Sequence, residues 1–321
     1  MRKITFAEAI NEALREEMQR DEKVIFIGED IGVYHQGRGP CGVSIGLLKD
    51  FGEQRVIETP IAESVIVGAA TGAAMFGMRP IVEIMHSEFM CHCFEHVFYG
   101  GNKAAVKMNG MQVPLVIRAP FGGVTQGELV QDENNEAWFG NSPGLKIVIP
   151  STPYDAKGLM KSALRDNYPV LFMEHKGLYK TMGEVPEEEY TVPMGKAKVC
   201  REGRDLTVLT YGNMVGKSLA AADELAQEGT DIEVIDLRTV LPLDEGTIVE
   251  SIRKTGRAVI FHEARKTGGM GGEIAAVISE KAFDALKAPV LRVAGPDVPD
   301  NFPRSEGDLI AGVRQVVGYR K

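Results

Sequence analysis

Strand-length apolar runs alternate with stretches of helical spacing along this chain, and that alternation restricts its fold more than any other feature. The runs fall at 24–27, 56–57, 80–85, 113–119, 145–149 and 170–174. Helical spacing fills 6–18, 62–77, 89–108 and 154–165 between them. Thr5, with Glu8 three positions on, reads as the cap of the first helix. Short apolar strands alternating with helices imply a parallel sheet covered on both faces. The rhythm breaks over 180–195, where Glu184, Glu187, Glu188 and Glu189 stand among Pro186 and Pro193. It then resumes with strands at 206–210, 232–237, 258–262 and 290–293 and helices at 215–227, 244–254 and 272–285. The expectation is an α/β protein of two doubly wound units, residues 1–185 and a smaller 186–321.

Charge and cysteine usage narrow the function classes. Thirty-six Lys and Arg against 45 Asp and Glu give a net charge of −9, the wrong sign for binding nucleic acid through its phosphates. No apolar run approaches the roughly 18–20 residues that span a bilayer, and the start of the chain does not read as a secretory signal. Cys41, Cys91, Cys93 and Cys200 have no framework spacing, so reduced thiols and a cytoplasmic setting are expected.

Five constellations carry chemistry. Residues 85–96 hold His86, Cys91, His92, Cys93 and His96. The one-residue gap between the cysteines does not suit zinc, and an ordinary strand-to-helix turn is favoured, with His92 and His96 on one face. Gly37–Gly42 only superficially resembles a dinucleotide loop. Gly68-xxx-Gly72 allows close helix approach, either inside the chain or between subunits. Glu63 enters an apolar helix just beyond a strand. It is either an exposed glutamate facing the helix dipole or a desolvated carboxyl awaiting a partner, and the two readings stand level. The glycine-rich turn 267–272 after Phe261-His262-Glu263 reads as a connecting loop, or as a loop meeting an anion or another subunit.

Taken in order, several segments resemble the β subunit (E1β) of thiamine-diphosphate-dependent 2-oxo acid dehydrogenases, a group that includes pyruvate, branched-chain and acetoin dehydrogenases. They are Gly28-Glu29-Asp30-Ile31-Gly32, Glu58-Thr59-Pro60-Ile61-Ala62-Glu63, Arg79-Pro80-Ile81-Val82-Glu83, Val113-Pro114-Leu115-Val116-Ile117-Arg118 and Thr152-Pro153-Tyr154-Asp155-Ala156. Val234-Ile235-Asp236-Leu237-Arg238-Thr239 and Val293-Ala294-Gly295 continue the set across nearly the whole chain. Glu174-His175-Lys176 and the acidic stretch after Gly183 are most similar to the acetoin dehydrogenase branch.

The resemblance implies a transketolase-like pyrimidine-binding domain followed by a transketolase C-terminal-like domain. It implies thiamine diphosphate shared with an E1 α subunit in an α2β2 heterotetramer, with Mg2+ held by the α chain. A GDG…N motif for the diphosphate and metal is absent here. Glu63 is implied as the acid at the pyrimidine ring nitrogen, where it favours the imino tautomer. Phe89 is implied to pack on that ring, and Glu29 to connect paired active sites. A lipoyl acyltransferase (E2) is the implied acyl acceptor. Gln131 stands where the family carries a histidine tied to lipoyl acylation, and glutamine cannot shuttle a proton near neutral pH. The chain also looks shortened after Val298-Pro299, which would alter the subunit contact. Two other functions remain open on the same scaffold: a non-oxidative ketol or acyloin transfer, and a non-catalytic assembly subunit.

Overall fold

The structure, a computed structural model, describes residues 1–32, 42–98, 110–123, 133–298 and 304–320. Contacts divide the chain into one unit of residues 1–121 and 139–194 and another of residues 122–138 and 195–321. The sequence sets the change at 185/186, whereas the packing changes at 194/195. Val192 belongs to the core of the first unit and Tyr190 packs against it.

The first unit runs β1 (Arg2–Thr5), α1 (Phe6–Arg20), β2 (Val24–Gly28), α2 (Leu47–Phe51), β3 (Val56–Glu58), α3 (Glu63–Met75), β4 (Arg79–Glu83), β5 (Val116–Phe121), β6 (Lys146–Val148), α4 (Pro153–Arg165), β7 (Val170–His175) and β8 (Met182–Val185). Its sheet has the order β6-β7-β5-β4-β2-β3, each neighbour parallel. The chain steps outward from β2 to β3, then returns to place β4 on the other side of β2. That reversal makes the carboxyl ends of β2 and β4 a topological switch point, where open α/β sheets bind ligands.

The sheet is apolar on both faces. Val24, Phe26, Val116 and Phe172 meet Ile10, Leu14 and Met18 of α1 and Leu159 and Met160 of α4. The alternate residues Ile25 and Ile27 are buried too, and α3 packs against β2 and β4. Thr5 and Glu8 start α1 with a reciprocal capping box: the Glu8 carboxylate accepts from the Thr5 amide at 2.7 Å.

Two local features differ from the sequence expectation. The helix expected over 89–108 begins as a 3-10 turn, Ser87–Cys93, and residues 99–109 lie outside the described residues. The acidic stretch after 180 supplies β8, which pairs antiparallel with β1, Arg2 opposite Val185. Glu189 accepts hydrogen bonds from Lys161 at 2.5 Å and from Arg165. Those bonds hold its carboxyl down at about 2.

The second unit runs β9 (Lys198–Arg201), β10 (Leu206–Thr210), α5 (Met214–Gln227), β11 (Ile232–Asp236), β12 (Thr239–Leu241), α6 (Glu245–Thr255), β13 (Ala258–Arg265), α7 (Gly271–Ala282), β14 (Leu291–Gly295) and α8 (Glu306–Val317). Its sheet has the order β14-β13-β10-β11-β9, parallel except for the edge strand β9. Leu309, Ile310, Val313 and Val316 of α8 close its core. No helix among the described residues is long and apolar enough to cross a membrane.

A buried charge triad ties three strands of the first unit together. The Arg118 guanidinium donates from Nε and Nη2 to the two oxygens of Glu174, each at 2.6 Å, and from Nη1 to Glu83. Tyr179 donates to Glu174 at 2.7 Å. Arg118, Glu83 and Glu174 are all buried. Burial works against the guanidinium's charge, but Glu174 and Glu83 outweigh it and hold its pKa well above the ordinary value. Removing the cation strands two carboxylates in a dry interior. Arg118→Met is therefore expected to cost about 3–5 kcal/mol at neutral pH, measured by urea unfolding. The loss should shrink as acid protonates the stranded carboxyls. A cost below about 1 kcal/mol, the range of an exposed pair, would contradict this role.

Candidate active site

Three elements of the first unit converge at its switch point. β2 ends at Gly28, β3 at Glu58 and β4 at Glu83, with Gly28 in register with both Glu58 and Glu83. A Cβ on Gly28 would lie 3.2 Å from the Glu83 Cβ and backbone oxygen, so only glycine lets the strands close here without displacement. Glu29 follows at once and is buried. Among the described residues its Oε2 has no hydrogen-bond partner. Burial pushes its carboxyl up, and the like charges of Glu63, Asp30 and Glu83 push it further.

Glu63 is the first residue of α3, behind Ala62, which offers no side-chain cap. Only 8% of it is exposed. This agrees with the desolvated reading of its carboxyl, not with an exposed glutamate facing the helix dipole. Among the described residues its carboxylate makes no hydrogen bond. The nearest cation-forming group is His92, with Nδ1 3.8 Å from Oε2. Ligands are recognised by buried polar groups left in this condition.

Phe89 sits in the Ser87–Cys93 turn beyond β4, half-buried. Its ring lies edge-on to His86, 5.9 Å between centroids, and 6.3 Å from His92. The turn packs against α3. Glu63 and Phe89 thus stand on two elements in contact, while Glu29 is coupled to Glu63 by charge. Gln131 lies outside the described residues.

The histidine-rich segment has a role that its spacing did not reveal. His96 Nε2 lies 3.0 Å from Ser64 Oγ. A Cβ on Gly68 would come within 3.1 Å of the His96 ring, so Gly68 serves an intrachain contact. Gly72 has nothing within 4 Å of its Cβ position. Ile61 (79% exposed), Val65 (67%) and Phe76 (94%) continue an uncovered apolar stripe on and around α3.

In the second unit, the glycine turn packs on His262: Cβ atoms on Gly269 and Gly271 would fall 3.1 and 2.3 Å from its ring. Burial, with Arg292 nearby, lowers the His262 imidazole to about 4. Sequence reasoning also missed buried Glu136, which accepts from Tyr211 at 2.6 Å. Pairing of this kind is not visible in local pattern.

Comparison with known proteins decides the family. Residues 2–182 match the transketolase pyrimidine-binding domain and 195–314 the transketolase C-terminal domain. The chain is 47% identical over 298 residues to the 2-oxoisovalerate dehydrogenase subunit beta of Bacillus subtilis (strain 168), covering 92% of this chain and 90% of that one. It is 47% identical over 328 aligned positions to the pyruvate dehydrogenase E1 component subunit beta of the same organism, covering 99% and 100%. This chain belongs to the E1β family. The E1β fold extends to a split-gene transketolase described as an inactive β4 tetramer, with a TM-score of 0.82, 99% coverage of both chains and 23% identity.

The buried Glu29 carboxyl generates a stability prediction for this E1β chain. Its folded pKa is raised, so the unfolded state ionises first as pH rises. Wild-type stability should therefore fall, relative to Glu29→Gln, from about pH 4.3 up to the raised value, and the two should coincide in stronger acid. Thermal melts across this range should show Glu29→Gln the more stable at pH 7. Equal melting temperatures at every pH would contradict the burial argument.

Proposed function

We propose that this chain is the β subunit of a thiamine-diphosphate-dependent 2-oxo acid or acetoin dehydrogenase, active only with an E1 α chain, and that Glu63 is its acid at the cofactor's pyrimidine ring. The observation that carries this reading is a nearly buried carboxyl at the switch point of the sheet, without a hydrogen bond among the described residues. When bound, thiamine diphosphate supplies a nucleophilic ring carbon and an electron sink for cleaving the bond beside a carbonyl. Glu63 would meet the ring nitrogen with its carboxyl and share a proton with it there. Phe89 would offer an apolar face to the ring, and Glu29 adds a second buried carboxyl to the same end of the sheet.

The diphosphate and Mg2+ fall to the α chain. Glu306-Gly307-Asp308 is the nearest approach to a GDG motif, but it begins α8. The Asp308 carboxylate there accepts from the Ser305 amide at 2.8 Å in a capping box. The uncovered stripe Ile61, Val65 and Phe76 favours another chain against α3, in keeping with an α2β2 assembly. The acyl group then passes to a lipoyl acyltransferase.

A second reading, non-oxidative ketol or acyloin transfer, is motivated by Gln131 in place of a histidine. Turnover of the reconstituted pair that requires a lipoyl acceptor would exclude it. The principal test is Glu63→Gln in the same pair. Turnover should fall by about 10²–10⁴-fold while gel filtration shows unchanged assembly. Near-normal turnover would remove Glu63 from the chemistry.

A further inference from the structure

We propose that His92 carries the Glu63 proton to and from solvent, with His96 fixing the segment that presents it. This inference rests on Glu63 being the acid that faces the cofactor.

The geometry is a pair of contacts in register. Two consecutive residues at the start of α3, Glu63 and Ser64, meet two histidines four positions apart. His92 Nδ1 is 3.8 Å from Glu63 Oε2, and His96 Nε2 is 3.0 Å from Ser64 Oγ. Gly68, one turn along α3, leaves room for the His96 ring. The second contact holds the segment that carries His92 against α3.

Exposure separates the two ends of the path. The Glu63 side chain is 9% exposed and that of His92 is 59% exposed. In this chain taken alone, His92 therefore stands between a carboxyl that water hardly reaches and the solvent. At 3.8 Å the pair is beyond direct hydrogen bonding and must draw closer for a proton to pass. Catalytic contacts often tighten in this way only in the loaded complex.

The surrounding groups do not suit the task. From the turn after β2 come Glu29 and Asp30, and Glu29 is buried with its carboxyl pushed up by burial and like charge. The segment itself adds Glu88, Cys91, Cys93, Glu95 and His96. Burial, with Glu63 nearby, raises the Cys93 thiol to about 12, and His96 is engaged by Ser64. Imidazole is the side chain whose protonation ordinarily changes between about pH 5 and 8.

The step conserves atoms and charge. The Oε2–H bond of Glu63 breaks as Nδ1–H of His92 forms, leaving a carboxylate beside an imidazolium. The Nε2 proton of the imidazolium then passes to water, and the reverse sequence reloads Glu63. No electrons are exchanged with any other species. His92 acts through Glu63 and does not touch the reacting atoms, so it is a positioning residue.

The test uses the reconstituted α/β pair with wild-type, His92→Gln and His92→Ala β chains. Calorimetry of thiamine diphosphate and Mg2+ binding, run in buffers of different ionisation heat, counts the protons exchanged on binding between pH 6 and 8. The wild-type count should vary with pH, and His92→Gln should flatten that variation. His92→Gln should lower kcat about tenfold or more with KM little changed, and added imidazole should restore much of the kcat of His92→Ala. A His92→Gln enzyme with wild-type kcat and an unaltered proton count would overturn the proposal. So would a loss of activity that imidazole does not rescue. If Glu63→Gln is inactive while His92→Gln is normal, this inference alone fails; a normal Glu63→Gln enzyme removes the reading beneath it.

Discussion

Carboxyl groups gathered where water is scarce set the terms for this structure. Glu29, Glu63 and Glu83 reach one end of a parallel sheet from β2, α3 and β4. Each loses hydration there, and Glu63 and Glu83 add like charge to the surroundings of Glu29. Arg118 answers Glu83 directly. Among the described residues, Glu29 keeps an oxygen with no hydrogen-bond partner, and Glu63 has a histidine at 3.8 Å. A fold tolerates such groups where function requires them. Here the sheet order itself delivers them, because the reversal between β2 and β4 brings their elements to one end of the sheet.

Much of the scaffold was legible because its signals are local. The run 206–210 is the strand Leu206–Thr210, and 24–27 falls one residue short of Val24–Gly28. Thr5 with Glu8 marked the start of α1, and the structure forms that capping box. The same device at Ser305 and Asp308 opens α8, a helix the sequence reading passed over although Leu309, Ile310, Val313 and Val316 have the required spacing. Other features depend on distant partners. Arg2–Thr5 is too short to show alternation and becomes a strand only by pairing with Met182–Val185. The acidic run near Glu189 breaks the strand–helix rhythm and reads as a boundary between units, yet Lys161 and Arg165 claim that carboxylate from α4.

The candidate site shows the same division. Position beyond a strand end made Glu63 a candidate, and family resemblance added Phe89 and Glu29. Sequence alone left Glu63 level between exposed and desolvated; the burial of its side chain separates the two. The segment 85–96 invited a metal reading by its histidines and cysteines. Their role became visible only when α3 supplied Glu63, Ser64 and the bare backbone of Gly68. Residue spacing can place two histidines on one face, but it cannot say what that face meets.

The most direct test of the central claim is an experimental structure of the assembled α and β chains with thiamine diphosphate and Mg2+ bound. The account predicts a Glu63 carboxyl oxygen within about 2.6–3.0 Å of the pyrimidine ring nitrogen, with the Phe89 ring against the pyrimidine face. A cofactor ring nitrogen engaged by another group, with Glu63 turned away from it, would contradict the account.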